Sequence, residues 1–225
     1  GDVYKRQRHY NIFHLLDLTP GADALKKAFH DGVKDGIRQA GKRGVTVRIT
    51  DTKEELDTFF KLHIATRQKL GVLTQPYIFF KALHQHLISQ RHGFIALGEC
   101  EGKVIAASIF LTHKDNVYYK FSSSDERYLQ KRPNHMVIWE AIRYACANGY
   151  KYFDFGRCSP EEKGLRAFKL GWGTKEIDLP YFYYPDVKGL TAASGNGVKY
   201  RALRSALHMM PRFAFKATGS LLYKH

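Results

Sequence analysis

Cysteine is scarce in this sequence, and long apolar runs are missing from it. Only 3 of the 225 residues are cysteine, and the odd number argues against a disulfide framework and favours a reducing compartment. Cys100, Cys146 and Cys158 also lack the spacing of metal ligands. No apolar run approaches the roughly 18 residues that a membrane-spanning helix needs, and no secretory signal is visible at the start. We therefore expect a cytoplasmic protein without a bound metal.

Acidic residues are outnumbered in the chain. The sequence contains 36 lysines and arginines against 21 aspartates and glutamates, which gives a formal net charge of +15. Such an excess favours a polyanionic partner, which an RNA, a phosphate-bearing precursor or an anionic lipid surface would each provide. A basic composition is equally compatible with a protein that is merely soluble, because net charge says nothing about the fold.

Hydrophobic periodicity and turn residues predict strands and helices from residue 12 onward. In chain order the predicted elements are a strand Ile12–Leu18, a helix Ala22–Ala40, a strand Val45–Ile49, a helix to Leu70, a helix after Pro76, the strands Phe94–Cys100, Lys103–His113 and Val117–Ser123, and a helix Asn134–Ala147. The turns Glu101-Gly102 and Asp115-Asn116 are typical of hairpins. Residues 1–7 fit no element and resemble a translated adapter scar, so we exclude them and expect the native N-terminus to be missing.

The stretch from Lys151 to Pro185 carries the strongest pattern. It predicts a strand that Gly156 breaks, a helix capped at Ser159, and a second aromatic strand from Ile177 to Tyr184. On that helix Leu165, Phe168 and Trp172 share one face, and Glu162, Arg166 and Lys169 share another. An ordinary corner between two strands with a solvated Lys169 fits the pattern as well.

The same stretch resembles the closing motif of the Fem-type aminoacyltransferases, relatives of the GNAT acyltransferases. The resemblance is carried by DFGR and by GL-x-x-FK-x-x-WG, which place Asp154, Gly156, Arg157, Lys169 and Gly173 at the family's positions. More loosely it extends from about Phe13 to Pro185. It implies an α+β GNAT-like acyltransferase lobe, with a mixed central sheet flanked by helices, over residues 44–185. It also implies that residues 8–43 are the remnant of a preceding GNAT-like lobe.

The resemblance implies a site as well. Lys169 of the FK element would be catalytic, stabilising the negative charge that develops when an amine attacks an acyl group. Phe168 and Trp172 would anchor the helix and line the channel. Further candidates are Arg157 and Arg166 for phosphate contact and Lys131 and Arg132 for the tRNA backbone, with Asp154 as a weaker candidate for a base and His135 as a weaker candidate near the donor loop. We expect Asp154 to be a salt-bridged structural group, His135 to cap or lie at the surface, and Cys158 to be small-residue filler because no histidine partner is identifiable.

The sequence departs from most GNAT enzymes in the loop that would bind the acyl donor. These bind the coenzyme A pyrophosphate on a glycine-containing loop before a helix. The matching stretch here, from Gln130 to His135, keeps basic residues but has neither glycine. The resemblance therefore implies aminoacyl-tRNA as the donor, no cofactor, and a lipid-linked or nucleotide-linked cell-wall precursor as the acceptor.

Two other functions remain open. The sequence is also compatible with an acyl-CoA-dependent enzyme that acts on a small amine or sugar, and with a non-catalytic fragment that docks RNA or membrane. Residues 186–225 form a basic, amphipathic C-terminal tail that would lie on an anionic membrane surface, making the protein peripheral, or pack on the missing lobe. We favour packing, and we expect a linker over residues 189–197.

Overall fold

The computed structural model describes residues 9–181, 205–211, 214–215 and 218–219. Within these ranges the chain forms one mixed sheet of seven strands with helices on both faces. The strands are β1 His9–Asp17, β2 Thr46–Thr50, β3 Gly93–Cys100, β4 Lys103–His113, β5 Asn116–Ser124, β6 Tyr152–Cys158 and β7 Lys175–Tyr181. The helices are α1 Ala22–Ala28, α2 Asp31–Lys42, α3 Lys53–Lys69, α4 Tyr77–His86, α5 Pro133–Ala147 and α6 Lys163–Gly171.

The strand order is β2-β3-β4-β5-β6-β1-β7. The β5–β6 pair is parallel and the other pairs are antiparallel, which confirms the predicted mixed sheet. β1 lies between β6 and β7, although both follow it in the chain by more than a hundred residues. Residues 9–43 are therefore built into the same sheet as the rest, as a strand and helix too small to stand alone require. Their descent from a preceding lobe stays a prediction.

Two hydrophobic cores cover the two faces of the sheet. On one face α1, α2 and α5 pack over β-strand residues such as Phe110 and Phe153, together with Trp172. On the other face α3 and α4 pack through Phe59 and Phe80. β3 and β4 supply alternate residues to each core, because successive side chains of a strand point to opposite faces. The candidate site lies on the first face, at the β6–β1–β7 side of the sheet.

The helix predicted over Ala22–Ala40 is two helices. The chain turns at Phe29 and His30, where Phe29 is buried with ψ 148. The His30 N–H donates to Gly171 O at 2.9 Å, and its Nδ1 accepts from the Gly32 N–H at 3.2 Å. α1 therefore ends because His30 contacts the end of α6 and caps the start of α2. No glycine or proline stands at this boundary, so the sequence pattern did not predict it.

The predicted break at Gly156 is wrong. β6 continues to Cys158, with Gly156 at φ 71. Phe13 pairs with Arg157 and Leu15 pairs with Asp154, so two residues of β6 stand opposite His14. A glycine in the left-handed region supports such a bulge without ending the strand. α6 also begins later than predicted, at Lys163, because residues 159–162 form a turn in which the Glu162 N–H donates to Ser159 O.

The described part of the tail packs on the α3–α4 face. Residues 205–209 are helical and end before Pro211, as predicted. Leu207 and Phe215 are buried in that core, whereas Met209 is exposed. Residues 1–7, the predicted linker and the end of the second aromatic strand lie outside the described residues. None of the helices in the described part of the chain combines the length and apolar composition needed to cross a bilayer.

Candidate active site

The strands β5 and β6 separate after a short ladder. Their pairs run only from Asn116–Tyr152 to Tyr118–Asp154, while β5 continues to Ser124 and β6 to Cys158. We call the space between these unpaired halves the β5–β6 gap. A separated pair of strands leaves backbone N–H and C=O groups available to an extended ligand or to side chains that enter the gap.

Lys169 lies against the separated half of β6. Its Nζ donates to Gly156 O and to Arg157 O, each at 2.9 Å, and the side chain is buried. An ammonium group has three N–H donors, so these two contacts leave one. Burial lowers the pKa of Lys169, and the nearby Cys158 and Asp154 oppose this shift. The ammonium therefore faces the protein, not bulk solvent; its catalytic role stays a prediction.

Asp154 stands two residues before the bulge and is also buried. Its Oδ1 accepts from the Gly156 N–H at 2.5 Å, so it braces the turn of backbone that Lys169 contacts. Burial raises the pKa of Asp154, while the Gly156 hydrogen bond and the charges of Lys169 and Lys120 lower it. The carboxyl group and the Lys169 ammonium thus partly balance each other's charge.

A histidine that sequence analysis did not connect to the site joins β1 to this region. His14 is completely buried; its Nε2 lies 3.1 Å from Cys158 Sγ and its Nδ1 lies 3.2 Å from Thr174 Oγ1. The Thr174 hydroxyl donates to Lys169 O at 3.1 Å. Because that hydroxyl proton is committed, Thr174 accepts from Nδ1–H, and the Cys158 thiol donates to Nε2.

The resulting chain of hydrogen bonds ties β1, β6 and β7 to the last turn of α6. It adds a side-chain hydrogen bond to Lys169 O at the C-terminus of α6, a carbonyl that also accepts from the Trp172 N–H at 3.1 Å. Burial lowers the pKa of His14 and raises that of Cys158, so both groups are neutral. The expectation that Cys158 has no histidine partner is wrong. The available signal was His14 itself, a polar residue on the buried side of β1 between Ile12 and Leu16.

Arg166 is paired within the protein. Its Nε and one terminal nitrogen donate to the two carboxylate oxygens of Glu176, at 2.6 Å and 2.7 Å. The carboxylate of Glu176 thus neutralises Arg166 and uses two of its five N–H donors. Arg157 is exposed on β6 beside the carbonyl that holds Lys169, and its proposed contact with the donor stays a prediction.

The aromatic residues of α6 form a cluster with α5. Trp172 is fully buried, and the His135 ring lies 5.6 Å from Phe168 and 6.1 Å from Trp172 between ring centroids. A Cβ at Gly36 would lie 2.4 Å from the His135 ring, so α2 closes over it. The expected surface or capping role of His135 is wrong. Leu165 is 42% exposed, so the predicted apolar seam covers only the second half of α6.

The predicted donor loop has a helix N-terminus that is poorly suited to pyrophosphate. Pro133, the first residue of α5, has no N–H, and the His135 N–H donates to Arg132 O at 3.1 Å. Lys131 Nζ turns to Glu101 Oε1 at 2.7 Å and Cys100 Sγ at 3.2 Å. Arg132 is exposed and holds a left-handed conformation at φ 55. Of the two predicted loop cations, the structure thus leaves Arg132 facing solvent.

Two buried polar atoms near this cluster stand out. Among the described residues, Asn134 Oδ1 and Trp172 Nε1 have no hydrogen-bond partner. The Asn134 side-chain nitrogen lies 3.4 Å from Ser124 Oγ at the end of β5. In the same part of the chain no group of three or more His, Cys, Asp or Glu side chains is arranged to hold a metal ion.

Known proteins resemble this chain in sequence. The model of the family described as acetyltransferase (GNAT) domain matches residues 27–175. A UDP-N-acetylmuramoylpentapeptide-lysine N(6)-alanyltransferase of Weissella viridescens is 26% identical over 159 residues, covering 69% of this chain and 47% of the relative. A lipid II:glycine glycyltransferase of Staphylococcus aureus is 22% identical over 232 residues, covering 71% of this chain and 55% of the relative. The chain thus spans about half the length of these curated relatives.

Solved structures share the fold. The crystal structure of FemX superposes with a TM-score of 0.68 at 18% identity, covering 81% of this chain and 63% of that one. The structure of L-PGS from Bacillus licheniformis superposes with a TM-score of 0.55 at 12% identity, covering 91% of this chain and 65% of that one. These matches confirm the predicted resemblance to Fem-type proteins. Because the family match covers most of its length, the chain belongs to the acetyltransferase (GNAT) domain family.

Proposed function

We propose that the chain is an N-acyltransferase that moves an aminoacyl group from aminoacyl-tRNA to an amine of a peptidoglycan precursor. The curated relatives are named for transfer of alanine or glycine to such precursors, and the GNAT family match supports acyl transfer. The donor follows from the implied Fem-type chemistry and from the helix start at Pro133, which offers coenzyme A few backbone donors. A peripheral position at the inner face of the membrane belongs to the same proposal, because one class of acceptor is lipid-linked.

The reaction replaces an ester by an amide. The acceptor nitrogen attacks the carbonyl carbon of the aminoacyl ester, and its electron pair forms the new N–C bond while the carbonyl oxygen becomes an oxyanion. The oxyanion then collapses, the C–O bond to the ribose breaks, and the proton lost by the amine passes to the ribose oxygen. The protein must therefore hold both reactants close together and stabilise charge on one oxygen.

Lys169 carries the proposal. Its ammonium is fixed by two backbone carbonyls at the bulge of β6, next to the β5–β6 gap where the ester would lie. The remaining N–H would donate to the developing oxyanion, in surroundings where burial strengthens the interaction. Asp154 keeps a compensating charge nearby, which favours the charged form of Lys169 despite the burial that lowers its pKa.

The test is transfer of radiolabelled amino acids from a mixture of charged tRNAs to UDP-N-acetylmuramoyl-pentapeptide or to lipid II. Lys169→Ala is expected to lower kcat by about 10²–10³, the usual effect of removing one oxyanion donor. Lys175→Ala, which removes an exposed lysine just beyond α6, is the matched control and keeps wild-type turnover. Melting temperatures of both variants separate loss of chemistry from loss of folding.

Several results would overturn the proposal. Wild-type kcat in Lys169→Ala would remove Lys169 from the chemistry. Saturable binding of acetyl-CoA with no response to charged tRNA would favour an acyl-CoA-dependent enzyme. Absence of transfer by the wild-type chain, together with intact RNA binding, would leave a docking fragment.

A further inference from the structure

A basic cleft lies between α1, α2 and α5, on the same face of the sheet as α6. It encloses about 910 Å³. Ile37, Met136 and Trp139 form an apolar floor. The cations that line it are Lys26 and Lys27 on α1 and Lys34, Arg38 and Lys42 on α2, and the acids that line it are Asp23 and Glu140. The cleft is thus a concave surface with more positive than negative charge.

The cations of α2 form a row. Lys34, Arg38 and Lys42 are spaced four residues apart and project from one side of the helix, so successive Cα atoms are about 6 Å apart along its axis. The row is about 12 Å long, which is too long for one phosphate group and suits an anion that repeats along a chain. Lys26 and Lys27 form the facing wall.

Much of this charge is available to a partner. Within the described residues Lys26, Lys27 and Lys42 have no carboxylate at ion-pair distance, and Lys26 Nζ lies 5.3 Å from the centre of the Trp139 ring. Lys34 pairs with Asp31 at 2.8 Å, and Arg38 pairs with Asp35. These pairs are exposed, and exposed pairs contribute so little that phosphate can replace the carboxylate. Glu140 is held by Arg143 at 3.0 Å.

The predicted donor loop lies next to the C-terminal end of α2, which lines the cleft. Arg43, directly after α2, donates to Gln130 O, and the charge of Arg132 acts on Asp35 together with that of Arg38. At its other end α2 meets α6, where the His30 N–H donates to Gly171 O at 2.9 Å. α2 therefore connects the basic loop before α5 to the helix that carries Lys169.

We propose that this cleft, extended by Arg132, binds the phosphodiester backbone of the donor RNA and directs its acylated end toward Lys169. Its role rests on the proposed aminoacyl-tRNA donor. A concave groove with a row of cations fits the ridge of a nucleic-acid backbone, whereas binding to a flat lipid surface requires a convex or planar face with exposed apolar residues. The floor residue Trp139 is only 5% exposed, so contact is with phosphates and not by stacking on bases.

The test measures binding of fluorescently labelled, deacylated tRNA to the full chain between 50 and 200 mM salt, values at which phosphate contacts respond strongly. Lys27→Gln/Lys42→Gln is expected to raise Kd at least about tenfold and to reduce the slope of log K against log salt by about 2, or about 1 for each lost contact. Lys53→Gln/Lys81→Gln removes the same charge from exposed positions on α3 and α4, on the opposite face, and should change Kd by less than about twofold.

Equal weakening by the two double variants would reduce the effect to overall charge and overturn the proposal. Unchanged binding by the cleft variant would overturn it too, as would loss of binding to phosphatidylglycerol vesicles with tRNA binding intact. If the cleft variant folds poorly, mass spectrometry of amine labelling in the wild-type chain gives the same answer: tRNA must protect Lys27 and Lys42 but not Lys53 and Lys81.

Binding and turnover can fail separately. Deacylated tRNA requires no acceptor and no chemistry, so a chain that binds it through the cleft but transfers nothing would contradict the proposed function alone. A chain that transfers aminoacyl groups while the cleft variant binds tRNA normally would contradict only the proposed RNA path.

Discussion

His14 and His63 are both buried, but they lie in different surroundings. His63, on α3, lies among aromatic rings, 5.2 Å from Phe59 and 5.0 Å from Phe80 between centroids, and its Nδ1 is 3.2 Å from Ser123 Oγ. His14, on β1, lies among a thiol, a hydroxyl and charges, with Glu176 Oε1 at 3.8 Å from its Nε2.

The two residues are neutral for different reasons. Burial among apolar rings lowers the pKa of His63 to about 4. For His14 burial acts together with the positive charge of Lys169 and against the negative charge of Glu176. His63 lies within a hydrophobic core, whereas His14 connects β1 to β6 through Cys158 and to the end of α6 through Thr174. His63 also has two polar contacts, with Ser123 Oγ and with Gln75 Oε1 at 3.4 Å, but most of its surroundings are apolar, so an apolar ring should cost less stability at His63 than at His14.

The largest expected effect concerns pH and His63. An unfolded histidine gains its proton below about pH 6.5, but folded His63 does so only near a pKa of about 4. The stabilisation from neutral His63 is therefore complete above pH 6.5 and is lost as the pH falls toward 4. The difference amounts to about 3 kcal/mol over that window. Urea unfolding at a series of pH values between 7 and 4 measures it.

His63→Phe provides the comparison for this experiment. The ring fits among Phe59 and Phe80 but cannot titrate, so the variant should lose less stability on acidification than the wild type. His14 and the carboxylates are retained in both proteins, and their contributions cancel in the difference. Parallel curves for the two proteins would show that His63 has the same pKa in the folded and the unfolded chain, which would contradict the prediction.

His14→Phe should be costly already at pH 7, by about 2 kcal/mol, because it leaves the buried Cys158 thiol and the Thr174 hydroxyl without the ring nitrogens they contact. If Thr174 shifts in the variant, its hydroxyl also loses the hydrogen bond to Lys169 O at the end of α6. The free energy of unfolding in urea, compared with that of His63→Phe, measures the contrast. Equal costs for the two substitutions would mean that the hydrogen-bonded chain adds nothing to stability.

The smallest effect is expected at the bulge. Gly156→Ala has open space for its methyl group, so its cost of about 1 kcal/mol comes from the left-handed backbone alone. The carbonyls that hold Lys169 belong to Gly156 itself and to Arg157, and a melting curve together with the transfer assay will show whether the site tolerates the substitution. Gly164→Ala, also in open space and without a positive φ, is the control and should be neutral or stabilising.

Much of the fold followed from local sequence pattern. The hairpin turn at Glu101-Gly102 and the start of α5, predicted at Asn134 and found at Pro133, are set by residues adjacent in the chain. The second hairpin turn consists of Lys114 and Asp115, one residue earlier than predicted, because Asn116 already pairs with His113 as the first residue of β5. The motif around Lys169 also placed α6 between two strands. These features depend on turn chemistry and periodicity, which a single sequence displays.

The rest depends on contacts between distant residues. The place of β1 between β6 and β7 joins parts of the chain that are more than a hundred residues apart, and His14 is 144 residues from Cys158. The turn at His30 likewise depends on Gly171. No local pattern encodes such pairs, and the same glycine signal that ends a strand elsewhere forms a bulge at Gly156 because β1 continues the ladder past it.

The location of β1 has a consequence for how the protein is made. Its partners on β7 are synthesised about 160 residues later, as in the pair of Leu15 with Lys175, which at about 5–20 residues per second is a delay of roughly ten to thirty seconds. During that interval the first strand has no completed sheet to join. The sheet around the Lys169 helix therefore cannot be completed until β6 and β7 have left the ribosome.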